Sequence, residues 1–295
     1  MHGKLDCHGL TNRGLVRETN QDQFLIADLK KSVIIHETSL SYDDETELLG
    51  GSQAKLFLVA DGVGGHAGGD RASVLALESV MQYLLNAMHW VFLPEDEREA
   101  TFMEDLKEAM AFSRSQIQHA AEAAPNLTKM GTTMTMAYVV WPTAYIVHAG
   151  DSRAYLHRDG RLTQLTQDQT YAQALADHGA IKPEEIQKST LNHILFSLLG
   201  CDPDSFQPQT VKETLTWNDK LLLCTDGLNR HVNDEAIAKL LDYDEPSRAL
   251  AERLVDQTLD AGGRDNVTVV VAKFGDSSQL RSDNVDHAAA VAVAD

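Results

Sequence analysis

Three β-rich segments in the middle of the chain constrain the fold more than any other feature. TTMTMAYVV, TAYIVHAG and SRAYLHRDGRLTQLT are rich in Thr, Val, Tyr and Ile, which favour extended strands. Short turn signals separate or interrupt them, among them Trp-Pro at 141–142 and Asp-Gly at 159–160. Strands joined by turns this short pair as antiparallel hairpins. The sequence therefore predicts antiparallel sheets.

Helical patterns flank these strands in pairs. RASVLALESVMQYLLNAMHW and the acidic-starting segment after it predict the first pair, and EAIAKLL and PSRALAERLVDQTL predict another. We also expect helix over 170–199, and buried strands at KLFLVAD, KLLLCTD and DNVTVVVAKF. Strands and helices that alternate one for one would give a doubly wound parallel sheet. Helix pairs between antiparallel strands instead predict an α+β fold, with sheets packed together and helices outside.

Charge and cysteine content exclude several classes of function. A formal charge of −19 repels nucleic acid and anionic membranes, so we expect neither as a partner. No apolar run is long enough to insert into a membrane, and MHGKLDCHGL lacks the apolar core of a secretory signal. The three cysteines form no CxxC pair and no even set, which favours a reducing compartment. We therefore expect a cytoplasmic protein.

Five aspartates punctuate the predicted strands, and they give the strongest functional signal. A single aspartate beside a glycine is accounted for by a turn. Five at strand ends of one core can converge, where they would repel one another without compensation. Carboxylates with little His or Cys suit Mg²⁺ or Mn²⁺ better than Zn²⁺. The five are Asp22, Asp61, Asp151, Asp226 and Asp265.

The glycine-rich stretch VADGVGGHAGGD at 59–70 has four interpretations. Its G-x-G-x-x-A spacing fits a dinucleotide fingerprint, but that motif needs an acidic residue on a second strand about 20 residues later, where this chain predicts helix. A phosphate-binding P-loop would need Gly-Lys-Ser/Thr, and the sequence has Gly69-Asp70-Arg71. A mobile turn accounts for an isolated glycine cluster. The recurring aspartates favour the fourth interpretation, a metal-binding corner.

With these residues assembled, the sequence resembles the metal-dependent protein phosphatase family of type 2C, in its bacterial form. The resemblance covers about residues 7–274 and implies one catalytic domain at 1–275. It also implies a four-layer sandwich of two antiparallel sheets between helix pairs, and a flap at 168–199. We expect a disordered tail at 276–295. The matching stretches are RETNQD, LFLVADGVGGHAGGDRAS, MGTTMTMAYV, HAGDSRAYLHRDGRLTQLTQD, LLLCTDGL and GGRDNVTVVVA.

The resemblance also implies a site and a reaction. It implies hydrolysis of phosphoserine and phosphothreonine in proteins by a hydroxide that bridges two Mn²⁺ or Mg²⁺ ions, and its expected partners are phosphoproteins made by a Ser/Thr kinase. Arg17 corresponds to the arginine that binds the substrate phosphate, and His66 is a candidate general acid. Asp151 corresponds to a ligand of a third ion. The ligands implied for the two ions are Asp61, Asp226, Asp265 and the Gly62 carbonyl, with Asp22 bound directly or through water.

The chain departs from the family pattern at several positions. Val63 stands where animal members have a histidine, which leaves the general acid open, and Gln21 stands where many members have Glu. The flap reads Asp168-Gln169-Thr170 and Leu191-Asn192, so substrate choice is not carried over. The acidic segment 36–53, interpreted as a surface loop, is longer than the family pattern.

Two rival functions remain open from the sequence. The spacings from Cys7 to Arg13 and from Cys224 to Arg230 fit the C-x5-R motif of cysteine phosphatases. However, Cys7 lies in a segment interpreted as turn-rich and Cys224 lies in a buried strand, and neither setting suits the reactive thiolate of those enzymes. The other rival is a catalytically silent module that binds phosphoproteins. Loss of a metal aspartate would be its signature, and all of them are present.

Overall fold

The computed structural model describes residues 3–35, 46–64, 66–86, 96–124, 127, 129–200 and 206–276. Within these ranges the chain forms an α+β fold. The strands are β1 (Gly3–Asn12), β2 (Asp22–Ile35), β3 (Thr46–Val63), β4 (Gly131–Thr132), β5 (Met134–Val140), β6 (Thr143–Ala149), β7 (Arg153–Arg158), β8 (Arg161–Gln164), β9 (Leu199–Gly200), β10 (Gln209–Thr214), β11 (Lys220–Cys224) and β12 (Val267–Asp276). The helices are α1 (His66–Asn86), α2 (Asp96–Ala123), α3 (Tyr171–Asp177), α4 (Asp226–Asn229), α5 (Asp234–Asp242) and α6 (Ser247–Asp260), with 3₁₀ turns at Pro183–Lys188 and Thr190–His193.

The strands form two antiparallel sheets, as the sequence predicts. One sheet has the order β1-β12-β11-β7-β8, and the other has the order β10-β6-β5-β3-β4-β9 with β2 also paired to β3. The hairpins β5–β6 and β7–β8 are confirmed. The connection from β6 to β7 is different, because these two strands belong to different sheets. Residues 150–152 therefore cross between the sheets, and Gly150 there has a φ of +117°.

The packing of β3 shows why its sequence is almost entirely apolar. Successive side chains in a strand point to opposite faces. Phe57 and Val59 enter the core between the two sheets, whereas Leu56 and Leu58 enter the core beneath α1 and α2. Side chains of β12, in the other sheet, alternate in the same way between the core that separates the two sheets and the core beneath helices α5 and α6. Three apolar cores thus separate four layers, and the predicted helix–sheet–sheet–helix sandwich is confirmed.

Two predictions of local structure were wrong in extent. Helix α1 begins at His66, so the second half of the glycine-rich stretch is the first turn of a helix. The helix expected over 170–199 is α3 followed by the two 3₁₀ turns. Gly179, with a φ of +71°, ends α3 in the left-handed conformation that favours glycine. Pro183 then begins the first 3₁₀ turn. Proline has no N–H, so it cannot donate the hydrogen bond that would continue a preceding helix.

The acidic segment 36–53 is also partly different from the expected loop. Strand β3 begins at Thr46, and its first residues pair with the end of β2, Thr46 opposite Ile35 and Leu49 opposite Ser32. The strand forms because β2 supplies a backbone partner, which the local composition does not reveal. Residues 36–45 of that segment, and 277–295 of the expected tail, lie outside the described residues. In the described ranges we find no helix with the length and apolarity needed to cross a membrane.

Candidate functional site

Four of the five predicted aspartates line one cavity at an end of the sandwich. The cavity has a volume of about 470 Å³ and is lined by Asp61, Asp151, Asp226 and Asp265. Asp61 lies near the end of β3, Asp226 follows β11 by two residues, Asp265 precedes β12 by two, and Asp151 lies in the β6–β7 crossing. The strand ends that carry them meet at the same edge, so the predicted convergence is observed.

Asp22, the fifth aspartate, lies outside the cavity lining. It begins β2 opposite Asp61 and is 2% exposed. Its Oδ2 accepts hydrogen bonds from the hydroxyls of Thr225 (2.7 Å) and Thr268 (2.8 Å). Its Oδ1 has no partner among the described residues. Burial raises the pKa of Asp22 to about 7 although the two hydroxyls lower it.

Burial and mutual repulsion make the site strongly unfavourable for bare carboxylates. Burial, then the charges of Asp22 and Asp226, raise the pKa of Asp61 well above its usual value. Burial also raises the pKa of Asp151 well above its usual value, with the Asp226 charge as the second cause. The pKa of Asp226 is raised by burial as well. A cation among these groups would relieve both effects.

Close packing explains two of the glycines beside Asp61. A Cβ on Gly62 would lie 2.2 Å from the carbonyl oxygen of Gly69, so only glycine lets the end of β3 touch the first turn of α1. Gly64 has a φ of +126°, where a side chain is strained. Thr133 fixes Asp61 on its other side, because its N–H donates to the Asp61 carbonyl (2.9 Å) and its hydroxyl accepts from the Asp61 N–H (3.1 Å).

Asn266 places Arg17 beside the cavity. The Asn266 side chain donates to the carbonyls of Arg13 and Thr19, both at 2.9 Å, and accepts from the Gln21 N–H at 2.9 Å. These three bonds hold the loop that carries Arg17 against the start of β12. Arg17 donates to Asp265 Oδ2 at 2.8 Å and its side chain is 53% exposed. The guanidinium therefore lines the cavity and remains accessible to a ligand.

Sequence reasoning missed Arg230, which lies among the aspartates. Its Nη2 contacts Asp226 Oδ2 and lies 3.3 Å from Asp151 Oδ2, and its Nη1 lies 3.9 Å from Asp265 Oδ2. The side chain is 27% exposed. Arg230 follows α4 by one residue and lies one helical turn after Asp226. That i, i+4 spacing was the one signal in the sequence that could have revealed the pairing.

The donors in the site fit hard divalent ions. Asp226 Oδ1, like Asp22 Oδ1, is buried without a hydrogen-bond partner among the described residues. No group of three or more His, Cys, Asp or Glu side chains in those residues is arranged to hold an ion as it stands. Mg²⁺ commonly uses only one or two carboxylates and keeps several waters, so a closed cage is not needed. The space between Asp151 and Asp226 differs from the rest of the site, because the guanidinium of Arg230 already contacts both carboxylates.

The remaining predicted residues fall in different surroundings. His66 is the first residue of α1, and its side chain lies outside the described part of the structure. Cys7 lies in β1, not in a turn, and burial raises the pKa of its thiol. Burial raises the pKa of Cys224 to about 12. Neither thiol has the depressed pKa of a cysteine nucleophile.

The predicted flap covers part of the cavity. His193, Ile194, Leu195 and Leu198 contribute to its lining. The base of the flap is held by a buried bidentate pair in which Arg153 Nε and Nη2 donate to the two oxygens of Asp168, each at 2.7 Å. The first residue of the flap is therefore anchored, and further along the flap Ile194 presents an exposed apolar side chain at the cavity.

A family model and curated relatives match this chain. A model described as protein phosphatase 2C matches residues 36–261. The serine/threonine protein phosphatase PstP of Mycobacterium tuberculosis is 37% identical over 223 residues, which are 76% of this chain and 41% of PstP. The serine/threonine phosphatase stp of Listeria monocytogenes is 29% identical over 74% of this chain and 84% of the relative. The chain thus spans about two fifths of the length of the mycobacterial relative.

Solved structures share the fold over nearly the whole chain. The crystal structure of the M. tuberculosis serine/threonine phosphatase PstP/Ppp aligns with a TM-score of 0.73 and 32% identity, covering 92% of this chain and 99% of that one. The PstP catalytic domain in complex with two manganese ions aligns over the same shares with a TM-score of 0.71 and 32% identity. These similarities show that the chain shares the fold of solved bacterial serine/threonine phosphatases.

Proposed function

Because the chain belongs to the protein phosphatase 2C family in its bacterial form, we propose that it hydrolyses phosphoserine and phosphothreonine in proteins with two divalent ions, Mn²⁺ or Mg²⁺. The observation that carries this proposal is the convergence of four aspartates and Arg17 on one cavity. Two buried carboxylate oxygens at or beneath it lack a partner among the described residues. The related PstP catalytic domain binds two manganese ions, which supports the same requirement here.

The proposed ligands of the two ions are Asp61, Asp226, Asp265 and the Gly62 carbonyl. Asp22 lies beneath them and supports the site through its unpartnered Oδ1, directly or through water. When bound, the ions supply a hydroxide nucleophile at neutral pH and offset charge on the phosphoryl oxygens. The chain's own groups do the rest of the binding and orientation.

Arg17 is proposed to bind the substrate phosphate. Its guanidinium is planar and can donate two parallel hydrogen bonds to phosphate oxygens. Its side chain is about half exposed, and it donates a hydrogen bond to Asp265 at the cavity edge. An incoming phosphate can therefore meet Arg17 without the large loss of solvation that a buried arginine would impose.

Asp151 and His66 are proposed to have two further roles. Asp151 can bind a third ion only if Arg230 withdraws from its Oδ2, because the two lie 3.3 Å apart. His66, at the first residue of α1, is the candidate general acid that protonates the departing serine or threonine oxygen. A His66→Gln variant whose rate falls most for substrates with a poor leaving group would support that role.

The broader biology follows from the same proposal. Residues 1–275 would form the catalytic domain, and the flap at 168–199 would influence substrate choice. The partners would be phosphoproteins made by a Ser/Thr kinase, and the protein would act in cytoplasmic signal transduction. Support comes from the names of the Ser/Thr phosphatase relatives and from the cysteine pattern.

Hydrolysis of p-nitrophenyl phosphate and of a phosphothreonine peptide tests the proposal. We expect turnover with added Mn²⁺, loss of turnover with a chelator, and recovery when Mn²⁺ is restored. A phosphotyrosine peptide of the same sequence serves as the specificity control and should be a poorer substrate. Metal binding without turnover of any substrate would instead identify a silent phosphoprotein-binding module.

A further inference from the structure

A second depression adjoins the aspartate cavity and is lined mainly by nitrogen-bearing side chains. It has a volume of about 440 Å³, and we name it the side pocket. It shares His193, Arg230 and Asp265 with the aspartate cavity. Its remaining lining residues are His231, Ala261 and Arg264. In a chain with a net charge of −19, a pocket lined by two arginines and two histidines beside the aspartate cavity calls for an explanation.

Two of the nitrogen-bearing groups are already engaged. The guanidinium of Arg230 is held by Asp226 and Asp151. His231 uses both ring nitrogens: Nδ1 donates to the Gly227 carbonyl at 2.9 Å, and Nε2 accepts from the Arg264 N–H at 3.2 Å. Both ring nitrogens of His231 are therefore occupied within the protein. Neither side chain is available as the main donor to a ligand.

Arg264 and His193 are available. The Arg264 side chain is exposed, and in the described part of the chain only its backbone N–H makes a hydrogen bond. His193 is exposed on the flap, across from Arg264, and its ring has no partner among the described residues. Asp265 also lines the pocket, but its Oδ2 already accepts from Arg17. An incoming anion would therefore meet one unpaired arginine and one unpaired histidine.

We propose that the side pocket binds a second anionic group of the substrate, a phosphate or a carboxylate on a residue near the one being dephosphorylated. Arg264 is the main donor, because its planar guanidinium can bind either group through two parallel hydrogen bonds. His193 adds a donor from the flap and brings that segment onto the substrate. The proposal rests on the proposed phosphatase function and names its substrate class.

The test compares peptides that differ only in the second anion. Each peptide carries one phosphothreonine, with a second phosphoresidue, a glutamate or an alanine placed in turn at one to four positions before or after it. Hydrolysis is measured with Mn²⁺ for the peptides and for p-nitrophenyl phosphate, which has no flanking residues. Binding is measured by fluorescence anisotropy with non-hydrolysable phosphonate versions of the same peptides.

The variants isolate Arg264. Arg264→Glu reverses its charge, and Arg264→Lys keeps the charge but removes the planar donor pair. Arg161→Glu is the matched control, since Arg161 is an exposed arginine at the start of β8, paired with the last residue of β7 rather than with the cavity end. Thermal unfolding confirms that each variant is folded.

At the best position we expect the second anion to raise kcat/KM and affinity by roughly tenfold over alanine, which is the scale of one charge-assisted bidentate contact. The phosphate and glutamate peptides show which anion is preferred. Arg264→Glu should remove the gain from the second anion, while its hydrolysis of p-nitrophenyl phosphate changes less than about twofold. Arg264→Lys should retain part of the gain, and Arg161→Glu should retain all of the gain. Raising the ionic strength should shrink the gain.

Three contradicting results are distinguishable. Equal binding and equal kcat/KM for all peptides, with normal p-nitrophenyl phosphate hydrolysis, overturns the side pocket alone. If no peptide is hydrolysed but the peptides with a second anion still bind more tightly, and this preference depends on Arg264, the phosphatase function is overturned and the side pocket is supported as an anion site. A preference that survives Arg264→Glu also overturns the assignment to Arg264.

Discussion

Asp226 is the single residue on which the proposed metal site depends most. One of its oxygens is buried without a hydrogen-bond partner among the described residues, and the other contacts Arg230. Replacing it with asparagine keeps the shape but removes the charge that attracts a divalent ion. We predict that Asp226→Asn lowers Mn²⁺-dependent hydrolysis of p-nitrophenyl phosphate by about a hundredfold or more, beyond the loss typical of groups that only support a ligand.

Cys7→Ser and Cys224→Ser are the control variants for this experiment. The pKa of each thiol is raised by burial, so neither is poised as a nucleophile, and both variants should keep most of the activity. Cys224→Ser should cost some stability because Cys224 is fully buried. Activity that survives Asp226→Asn but is lost in Cys7→Ser would replace the metal mechanism with a thiol one.

The contacts of Arg230 lead to a second prediction, on the stability of the metal-free protein and the number of ions that it binds. Its guanidinium offsets the charges of Asp226 and Asp151 while no ion is bound. We predict that Arg230→Ala lowers the stability of the metal-free protein by about 2 kcal/mol, between the values for exposed and buried ion pairs. Removing the bridge also frees Asp151, so we expect calorimetric titration with Mn²⁺ to show an additional bound ion.

Arg161→Ala controls for the loss of any arginine, and it should alter neither the melting temperature of the metal-free protein nor the number of bound ions. An Arg230→Ala protein with the stability and stoichiometry of the unchanged chain would show that Arg230 does not compete with an ion.

Individual residues of the site could be predicted to different degrees. The positions of Asp61, Asp226 and Asp265 followed from their places beside apolar strands, because strand ends of one core meet at a shared edge. Arg230 could not be assigned in this way, since its role depends on Asp151, which is distant in sequence. Asp22 is likewise held beneath the site by two threonine hydroxyls that are distant in sequence, Thr225 just after β11 and Thr268 in β12.

At the scale of elements, strand β6 is tied to the base of the flap through a buried histidine. His148 Nε2 donates to the Gln167 carbonyl at 3.2 Å, and its Nδ1 lies 2.9 Å from the Thr135 hydroxyl on β5. Burial lowers the pKa of His148 from 6.5 to about 4. Between those values the unfolded chain binds the proton more readily, so stability falls as the pH drops from 6.5 towards 4.

A stability profile against pH tests this prediction. From the pKa shift, His148 should account for a loss of about 2 kcal/mol between about pH 7 and pH 5. His148→Gln cannot titrate, so its urea-unfolding free energy should fall by that much less over the same interval. Parallel profiles for the two proteins would mean that His148 does not have a depressed pKa in the folded state.

The elements themselves were predicted best where the chain is apolar and periodic. Helices α5 and α6 and strands β11 and β12 match the predicted segments closely. The start of α1 was missed because the stretch from His66 to Asp70 contains two glycines, which disfavour helix locally; contact with Gly62 requires glycine at position 69. In the flap, capping by Gly179 and the proline at 183 divide what the composition suggested was continuous helix.

At the scale of the whole molecule, the sandwich was predictable because its three apolar cores need strands that are apolar on both faces. The sequence shows such strands at KLFLVAD, KLLLCTD and NVTVVVAKF. The division of the strands between two sheets was not fully predictable. The β6–β7 connection looks like a hairpin in sequence, and only the position of both sheets shows that it crosses between them.

The same architecture concentrates charge, and this gives a prediction for the whole molecule. A net charge of −19 surrounds a site of buried aspartates, so ions that bind only the folded chain should stabilise it strongly. At a hundred times the dissociation constant each Mn²⁺ site adds about 2.7 kcal/mol. Two sites should therefore raise the melting temperature by about 10 to 20 °C, at about 2 to 4 °C per kcal/mol.

Salts of different valence separate this effect from general screening. Sodium chloride at matched ionic strength screens the surface charges over about 10 Å. It supplies no divalent ion for the buried oxygens of Asp22 and Asp226 to coordinate. We therefore expect a small rise in melting temperature with sodium chloride, a large rise with Mn²⁺ that continues with the logarithm of its concentration, and a reduced rise with Mn²⁺ in Asp226→Asn. Equal effects of the two salts at equal ionic strength would show that the aspartates are only screened, and the two-ion site would have to be abandoned. The concentration dependence matters as much as the size of the rise. Stabilisation by a bound ion begins near its dissociation constant and then grows with the logarithm of the Mn²⁺ concentration, whereas screening depends only on ionic strength.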